Sequence, residues 1–279
     1  MASTSRKTLR RDIFDKLRDG LVFTHDGPSS TSVLIDAENL VDADNAYRSA
    51  YVMATSGTAT NLGVVRRVDS STQSTNSITL QAVLPASAVA DDEFEMVNLK
   101  GDGFRFQEYH RAINACIGML RDGQYLVETY SNVATAFNGD LGAGTFTIPS
   151  GLTYLTSVQY QDDDGEWINI PRARTSSTFG EGYRTLGLSG TAQIMGRFRN
   201  DADGQTLRCF GYSEISDLNS DSDTTSVPRE YIVNQAAHIL AFNRGGPIWT
   251  PRAMLFKQDA DQSRPRSTLA WAPNIEKVR

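Results

Sequence analysis

The sequence predicts an α+β fold: a small helical bundle built from helices far apart in the chain, two inserted antiparallel β modules, and an extended C-terminal arm. Three observations carry that reading. Amphipathic helical patterns recur at residues 4–19, 104–121 and 228–243. The stretches between them, 21–99 and 144–210, are rich in Ser, Thr, Val and Gly, with short β-type runs set between turn residues. Strand and helix patterns do not alternate as they would in a parallel α/β sheet.

The first helix places Leu9, Ile13 and Leu17 at i, i+4 and i+8 with Phe14 beside them, and Gly20 is its expected C-terminal stop. Strands are then expected at 32–35, 50–54, 63–68, 77–81 and 93–97, a spacing that suits a small barrel or meander. In the second helix Phe106, Tyr109, Ile113, Cys116, Ile117 and Leu120 form one apolar stripe. Six more strands are expected at 145–148, 154–160, 166–170, 184–188, 192–199 and 205–210. Their hairpin loops are Asp162-Asp163-Asp164-Gly165 and the run from Asn200 to Gly204, because Asp and Asn favour local turns and Gly accepts positive φ. The third helix has Pro228 in its first turn, Glu230 near its positive end, and an apolar face of Tyr231, Ile232, Ala236, Ile239 and Leu240.

The chain breaks at Gly245-Gly246-Pro247 and continues as a segment that no single core obviously needs. The expected division is a bundle of residues 1–20, 104–125 and 214–245, β modules at 21–99 and 140–212, and an arm at 246–279. Pro251, Pro265 and Pro273 are expected to keep much of the arm out of helix and sheet. Two of the three Trp residues lie in it, whereas disordered segments are poor in aromatics, so the arm reads as a partner-binding segment. Its expected anchors are Trp249, Phe256, Trp271 and Ile275, with Arg252, Arg264 and Arg266 as polar contacts.

Charge is uneven. Residues 1–18 carry a net +4 and residues 246–279 a net +3, which leaves −13 for the remainder of a chain whose total is −6. Basic ends can meet acidic surfaces, nucleic acid included, but an acidic body argues against a dedicated nucleic-acid binder. No apolar run approaches the length of a membrane span, and residues 1–18 have no apolar core of a signal peptide. Cys116 and Cys209 lack any metal or redox spacing and are expected as buried, reduced thiols of a protein made in a cytosol.

Catalytic chemistry is not expected. His25, His110 and His238 stand alone, and no nucleophile elbow, phosphate loop, zinc-protease or dinucleotide signature is present. The carboxylate clusters Asp162–Asp163–Asp164–Glu166 and Asp217–Asp221–Asp223 read as turn formers. The second has the beginning of a calcium-loop pattern, but Ser226 and Ile232 stand where its Gly and bidentate Glu belong. No catalytic, cofactor-binding or metal-binding residue is assigned.

Several short segments, in order, resemble the head–tail connector (adaptor) proteins of tailed bacteriophages. Residues 40–52 followed by Gly63-Val64-Val65-Arg66-Arg67-Val68 are similar to a β module common in phage virion proteins. There the chain turns at a Gly and an Arg follows three residues later. The module continues through Ser77-Ile78-Thr79-Leu80 to Ala90-Asp91-Asp92-Glu93-Phe94-Glu95, with Asp91 where the family pattern has Gly. Tyr109 to Ala115 is similar to the Ala-Ile-Asn helix that follows the module. The run from Asp221 through Pro228-Arg229-Glu230-Tyr231 into Gln235-Ala236-Ala237 is similar to the acidic turn and Ala-rich helix that close the adaptor bundle.

The resemblance spans roughly residues 6–245. It implies a non-enzymatic virion protein, assembled in host cytoplasm. The implied form is a ring, commonly of twelve copies, below the portal, with the arm docked on the portal. The same resemblance implies a tail or stopper protein on the other side, genome DNA passing through the lumen without sequence-specific binding, and no membrane. Rival readings are a tail spike, fibre or collar protein, or a carbohydrate-binding or hydrolysing module with Trp167, Tyr154 and Tyr160 as a stacking platform beside Asp162–Asp164.

Overall fold

The computed structural model describes residues 3–99, 101–122, 126–138, 144–173, 181–186, 190–265 and 276–277. The fold is α+β, with antiparallel sheets and helices in both of the compact units into which the chain divides. The first unit comprises Met1–Gly118 and Asp217–Pro265 and therefore joins the helices and the first β module in one body. The second comprises Met119–Ser216 with the chain's C-terminal end.

In the first unit, β1 (Thr4–Ser5) leads into helix α1 (Arg6–Leu17), whose N-cap Ser5 accepts a hydrogen bond from Thr8 N–H at 3.2 Å. The helix ends one turn earlier than Gly20: Arg18 takes the left-handed conformation (φ 55°) and its N–H caps Asp15 O. Gly20 has a different role. A Cβ there would lie 2.5 Å from the Phe14 ring, so glycine is what lets strand β2 (Gly20–Thr24) leave directly against the helix.

The sheet that follows comprises β2, β3 (Val33–Ile35), β4 (Tyr51–Ala54), β5 (Val65–Thr72), β6 (Ser77–Leu80) and β7 (Glu93–Val97). Its order is β2-β7-β4-β5-β6-β3, all antiparallel. A bulge between Val68 and Ser70 lets β5 pair with β4 along its first half and β6 along its second, which bends the sheet. The two edges then meet: Asp26 N–H donates to Ile35 O (3.0 Å) and Ile35 N–H donates to His25 Nδ1 (3.1 Å). The enclosed core includes Phe23, Leu34, Val52, Val68, Ile78, Phe94 and Met96. Each of the five strands expected between residues 32 and 97 is present within two residues at its start, and β2 is an addition.

Helix α2 (Phe106–Asp122) buries the predicted stripe in full. Glu108 Oε2 accepts from Arg105 N–H at 2.8 Å and so caps its first turn. The second unit begins at the end of this helix. It contains β8 (Leu126–Ala136), β9 (Thr145–Thr147), β10 (Tyr154–Gln161), β11 (Trp167–Ile170), β12 (Gly182–Thr185), β13 (Thr191–Met195), the short helix α3 (Arg197–Asp201) and β14 (Thr206–Glu214). One sheet runs β11-β10-β14-β8 and the other β12-β13-β9, with Leu155, Val158, Tyr160, Ile170, Tyr183, Ala192, Ile194, Leu207 and Cys209 in one shared core. The expected 192–199 strand stops at Met195, because Gly196 (φ 67°) turns the chain into α3. β8 was not expected at all.

The chain returns to the first unit through β15 (Thr224–Thr225), which pairs with β1, and helix α4 (Arg229–Arg244). The break at Gly245-Gly246-Pro247 is real, but it is a tight helix–helix turn. Gly245 and Gly246 have φ of 64° and 81°, and helix α5 (Gly246–Ser263) runs back along α4. The expected extended arm is thus corrected over residues 246–263. Pro247 sits in the first turn, where its missing N–H has no partner to lose, and Pro251 interrupts a single bond further in. The helix stops before Pro265, as the proline rule anticipates, with Arg264 extended. Downstream, only β16 (Glu276–Lys277) is described, paired with Tyr154 and Leu155 of β10.

Because Trp249, Ala253 and Ala260 are buried along the α5 seam, truncation of Trp249 to Ala should destabilise the protein by about 3–5 kcal/mol. Chemical denaturation of Trp249→Ala followed by circular dichroism measures this. An unchanged midpoint would mean that α5 is not part of the core.

Candidate assembly surface

The basic N-terminal helix is used inside the first unit. Arg10 is fully buried; its Nε donates to Glu95 Oε2 on β7 (2.6 Å), while Nη1 and Nη2 donate to Asp221 Oδ1 (2.6 Å) and Oδ2 (2.8 Å). Nη1 also lies 2.8 Å from His110 Nε2 on α2, which fixes that nitrogen as an acceptor. Arg6 Nη2 reaches Asp221 Oδ1 at 3.0 Å. Arg11 bridges Glu95 and Glu93, each at 2.6 Å, and Lys7 Nζ reaches Glu93 Oε1 at the same distance. Four cations and three carboxylates therefore tie α1, β7 and the turn before β15 together.

The network sets its own protonation. Burial opposes the charge on Arg10, yet the bonds from Asp221 and Glu95 outweigh it and raise its pKa. Burial likewise works against the Glu93 and Asp221 carboxylates. Arg11, Lys7 and Thr55 nonetheless hold Glu93 down to about 2, and Arg10 and Arg6 hold Asp221 down to about 2. Burial, then Arg10 and Arg6, push His110 down to about 4. His110 is thus a neutral acceptor within an ionic frame. His25 is pinned between Ile35 N–H and Pro28 O, and His238 Nδ1 donates to Ala253 O at 2.8 Å.

The acidic loops are accounted for locally. Asp162 Oδ1 accepts from Asp164 N–H (3.1 Å) and Glu166 N–H (2.8 Å), so the 162–165 turn is self-capped, with Gly165 at φ 84°. Asp223 accepts from Asn219 and Ser220 N–H, and Asp221 belongs to Arg10. Among the described residues no three His, Cys, Asp or Glu side chains converge to hold a metal ion. The sugar platform is divided: Tyr160 packs in the core of the second unit, whereas Trp167 pairs with Gln161 on the other face of the sheet and carries Arg208 over its ring at 3.7 Å. Cys116 and Cys209 are free and buried.

Two of the arm residues, Trp249 and Phe256, pack within the first unit, and Arg252 stays at its surface. Trp249 is 7% exposed and meets Phe104 edge-on at 5.1 Å; Phe256 is half-buried under Lys16; Arg252 stacks over Trp249 at 5.3 Å while remaining exposed. Arg264 is exposed at the end of α5, and Arg266, Trp271 and Ile275 lie outside the described residues. The residues that do project from this hairpin are others: Phe242 at 68% exposure, Ile248 at 57%, Met254 at 72% and Leu255 at 62%. They make up four of the ten large apolar side chains exposed among the described residues, concentrated on one pair of packed helices. Exposed apolar side chains on a packed helix pair are candidates for contact with a partner. The sequence held a signal for them, since Ile248, Met254 and Leu255 fall off the Trp249–Ala253–Phe256–Ala260 seam once a helix is assumed.

No protein-family profile matches the chain, and no characterised protein matches it either. No helix among the described residues is long and apolar enough to cross a membrane.

The ionic frame predicts acid lability in two windows. His110 has a folded pKa of about 4, below its unfolded value near 6.5, so its contribution is present above ~6.5 and lost as pH falls toward 4. Glu93 and Asp221 contribute above their unfolded values near 4, and that stability is lost as pH falls toward 2. Urea midpoints between pH 8 and 3 should fall in both windows, and His110→Asn should flatten only the upper one; a midpoint independent of pH would rule the frame out. Arg10→Met takes from the fully buried Glu95 one of its two cation partners, leaving Arg11, and should cost about 3 kcal/mol, part of it recovered in Arg10→Met/Glu95→Leu.

Proposed function

We propose that this chain is a structural virion protein, a head–tail connector that forms a ring between the portal of a tailed bacteriophage and its tail and extends the DNA channel. The observation that carries the reading is the α4–α5 hairpin, which presents Phe242, Ile248, Met254 and Leu255 to solvent from a frame locked by buried packing and ion pairs. A packed helical pair that exposes several large apolar side chains is suited to assembly.

The resemblance gains support from backbone geometry. The glycine that opens the pattern, Gly63, has φ of 74°, and Asp91, which stands at the pattern's other glycine, has φ of 72°. Both are left-handed positions, the second held by one of the few residue types other than Gly that visit that region readily. The other quoted segments lead into β4 or lie on β6, on α2, on the turn before β15 and on α4, all in the first unit. The portal contact falls to residues beyond α5, where Arg264, Arg266, Trp271 and Ile275 remain the assigned contacts.

On this reading the protein works by binding, and replacement of His110, His238 or Asp163 by Ala alters folding or assembly at most. Particles produced without the protein should package DNA, fail to retain it, and lack tails in electron micrographs. Particles that keep their DNA and infect normally would overturn the assignment, as would hydrolysis by the purified chain that any one of those three changes abolishes.

A further inference from the structure

One strand of the second unit comes from outside its contiguous chain. Residues 119–216 form the body of that unit, residues 217–265 belong to the first, and β16 then joins the sheet at β10. The slot that β16 fills is built by the fold. Along one edge β10 pairs with β14 from Tyr154 to Tyr160. Along the other, β11 covers only Val158–Gln161. Pro171 follows Ile170 and cannot donate to the ladder, and the chain crosses there to the other sheet. Tyr183 N–H donates to Pro171 O (2.9 Å) and Ala173 N–H to Tyr183 O (2.8 Å). Tyr183 Oη then donates to Thr156 O at 2.7 Å. The stretch that β11 leaves uncovered holds Tyr154 and Leu155, and β16 pairs there, Lys277 opposite Tyr154 and Glu276 opposite Leu155. Leu155 is 1% exposed in the shared core, so the unit's own packing fixes the slot.

We propose that β16 is exchanged between copies of this chain, the Tyr154–Leu155 edge of one copy receiving Glu276–Lys277 of the next. The occupant is the segment seated there in the structure, and its main-chain hydrogen bonds are the same whichever copy supplies it. A two-residue strand holds its slot through the effective concentration its tether confers. That tether, the twelve residues 264–275 between α5 and β16, can reach about 40 Å, further than the ~30 Å width of a small domain. Exchange therefore loses no contact and is decided by how close assembly brings a neighbour's edge. Each copy gives one strand and offers one edge. That contact is heterologous, and its repetition gives a closed ring or an open filament. The inference rests on the connector reading and names a tie between neighbouring copies of its ring.

The test is cysteine cross-linking in the full-length chain with Tyr154→Cys and Lys277→Cys. Facing residues of antiparallel strands have Cα atoms about 4.5–5.5 Å apart, within the reach of a disulfide. The native thiols do not compete, because burial pushes both up, Cys209 to about 12. Oxidised mildly on portal-containing heads, the double variant should give a ladder of dimer, trimer and higher species on a non-reducing gel. A mixture of the two single variants should stop at dimer, and neither should cross-link by itself. A double variant that forms its disulfide but runs as a monomer on heads overturns the exchange. So does a ladder that ends at dimer, or the absence of any disulfide. Leu155→Cys/Glu276→Cys repeats the measurement at the adjacent pair if Tyr154→Cys lowers the melting temperature. Uptake by heads is scored in parallel. Uptake with a monomeric disulfide removes the exchange and leaves the connector reading. If the unaltered chain is not taken up, the connector reading falls, and the double variant oxidised in concentrated free solution decides the exchange by the same ladder.

Discussion

The fully buried Arg10 guanidinium is the constraint around which the first unit is organised. A buried guanidinium is costly to desolvate unless its donors are matched, and here Glu95, Asp221 and His110 come from three separate elements to accept four hydrogen bonds from it. That requirement fixes the rotation of α1 about its axis, the register of β7, and the path of the 217–223 turn into β15 and α4. Such a pair contributes little net stability compared with an apolar core of the same volume, but it discriminates strongly against wrong arrangements, each of which strands a charge. The N-terminal segment is thereby removed from the list of basic arms. Five of its six cations, Arg6, Lys7, Arg10, Arg11 and Lys16, pair with carboxylates within the fold.

The hairpin depends on a balance of known size. Pro251 forfeits one helical hydrogen bond and crowds the preceding turn, at a cost of about 3 kcal/mol. Burying a Trp removes 150–250 Å² from water, worth about 4–6 kcal/mol at ~25 cal/mol per Å². Trp249 sits two residues before that proline and packs on Phe104, so the burial exceeds the cost, and Ala253 and Ala260 extend the seam. Because the seam uses only one residue per turn, most of α5 remains outside it. The same geometry that folds the segment therefore leaves Ile248, Met254 and Leu255 in solvent.

Much of this was legible in the sequence, and the exceptions have identifiable causes. The stripe on α2 and the strands of the first module were readable because period and turn residues agreed at each position. The 246–263 helix was not, because the effect of a proline depends on its place: Pro247 lies in the first turn, where it is harmless, Pro251 is offset by a tertiary contact that no local pattern reveals, and Pro265 alone marks the stop expected of it. Strand β8 was missed although Val127, Thr129, Val133 and Thr135 supply β-branched alternation, since Glu128, Ser131 and Asn132 interrupt the apolar signal. Of the candidate contacts, Trp249 and Phe256 were rightly singled out as apolar anchors but anchor their own chain. Ile248, Met254 and Leu255 beside them became visible only once the helix placed them.

At Asp91 the fold constrains the backbone more than the side chain. The turn before β7 needs a left-handed residue so that Asp91 N–H can reach His25 O (2.9 Å) and Asp92 can fold back to accept from Thr58 and Val89 N–H. Glycine satisfies that conformation at no steric cost; aspartate satisfies it at a small one. Asp92, 2% exposed, then ties the 57–58 turn to the same strand, and Gly57 is required there because a Cβ would overlap its carboxylate. The constraint at residue 91 is thus on backbone shape, and the side chain is secondary to it.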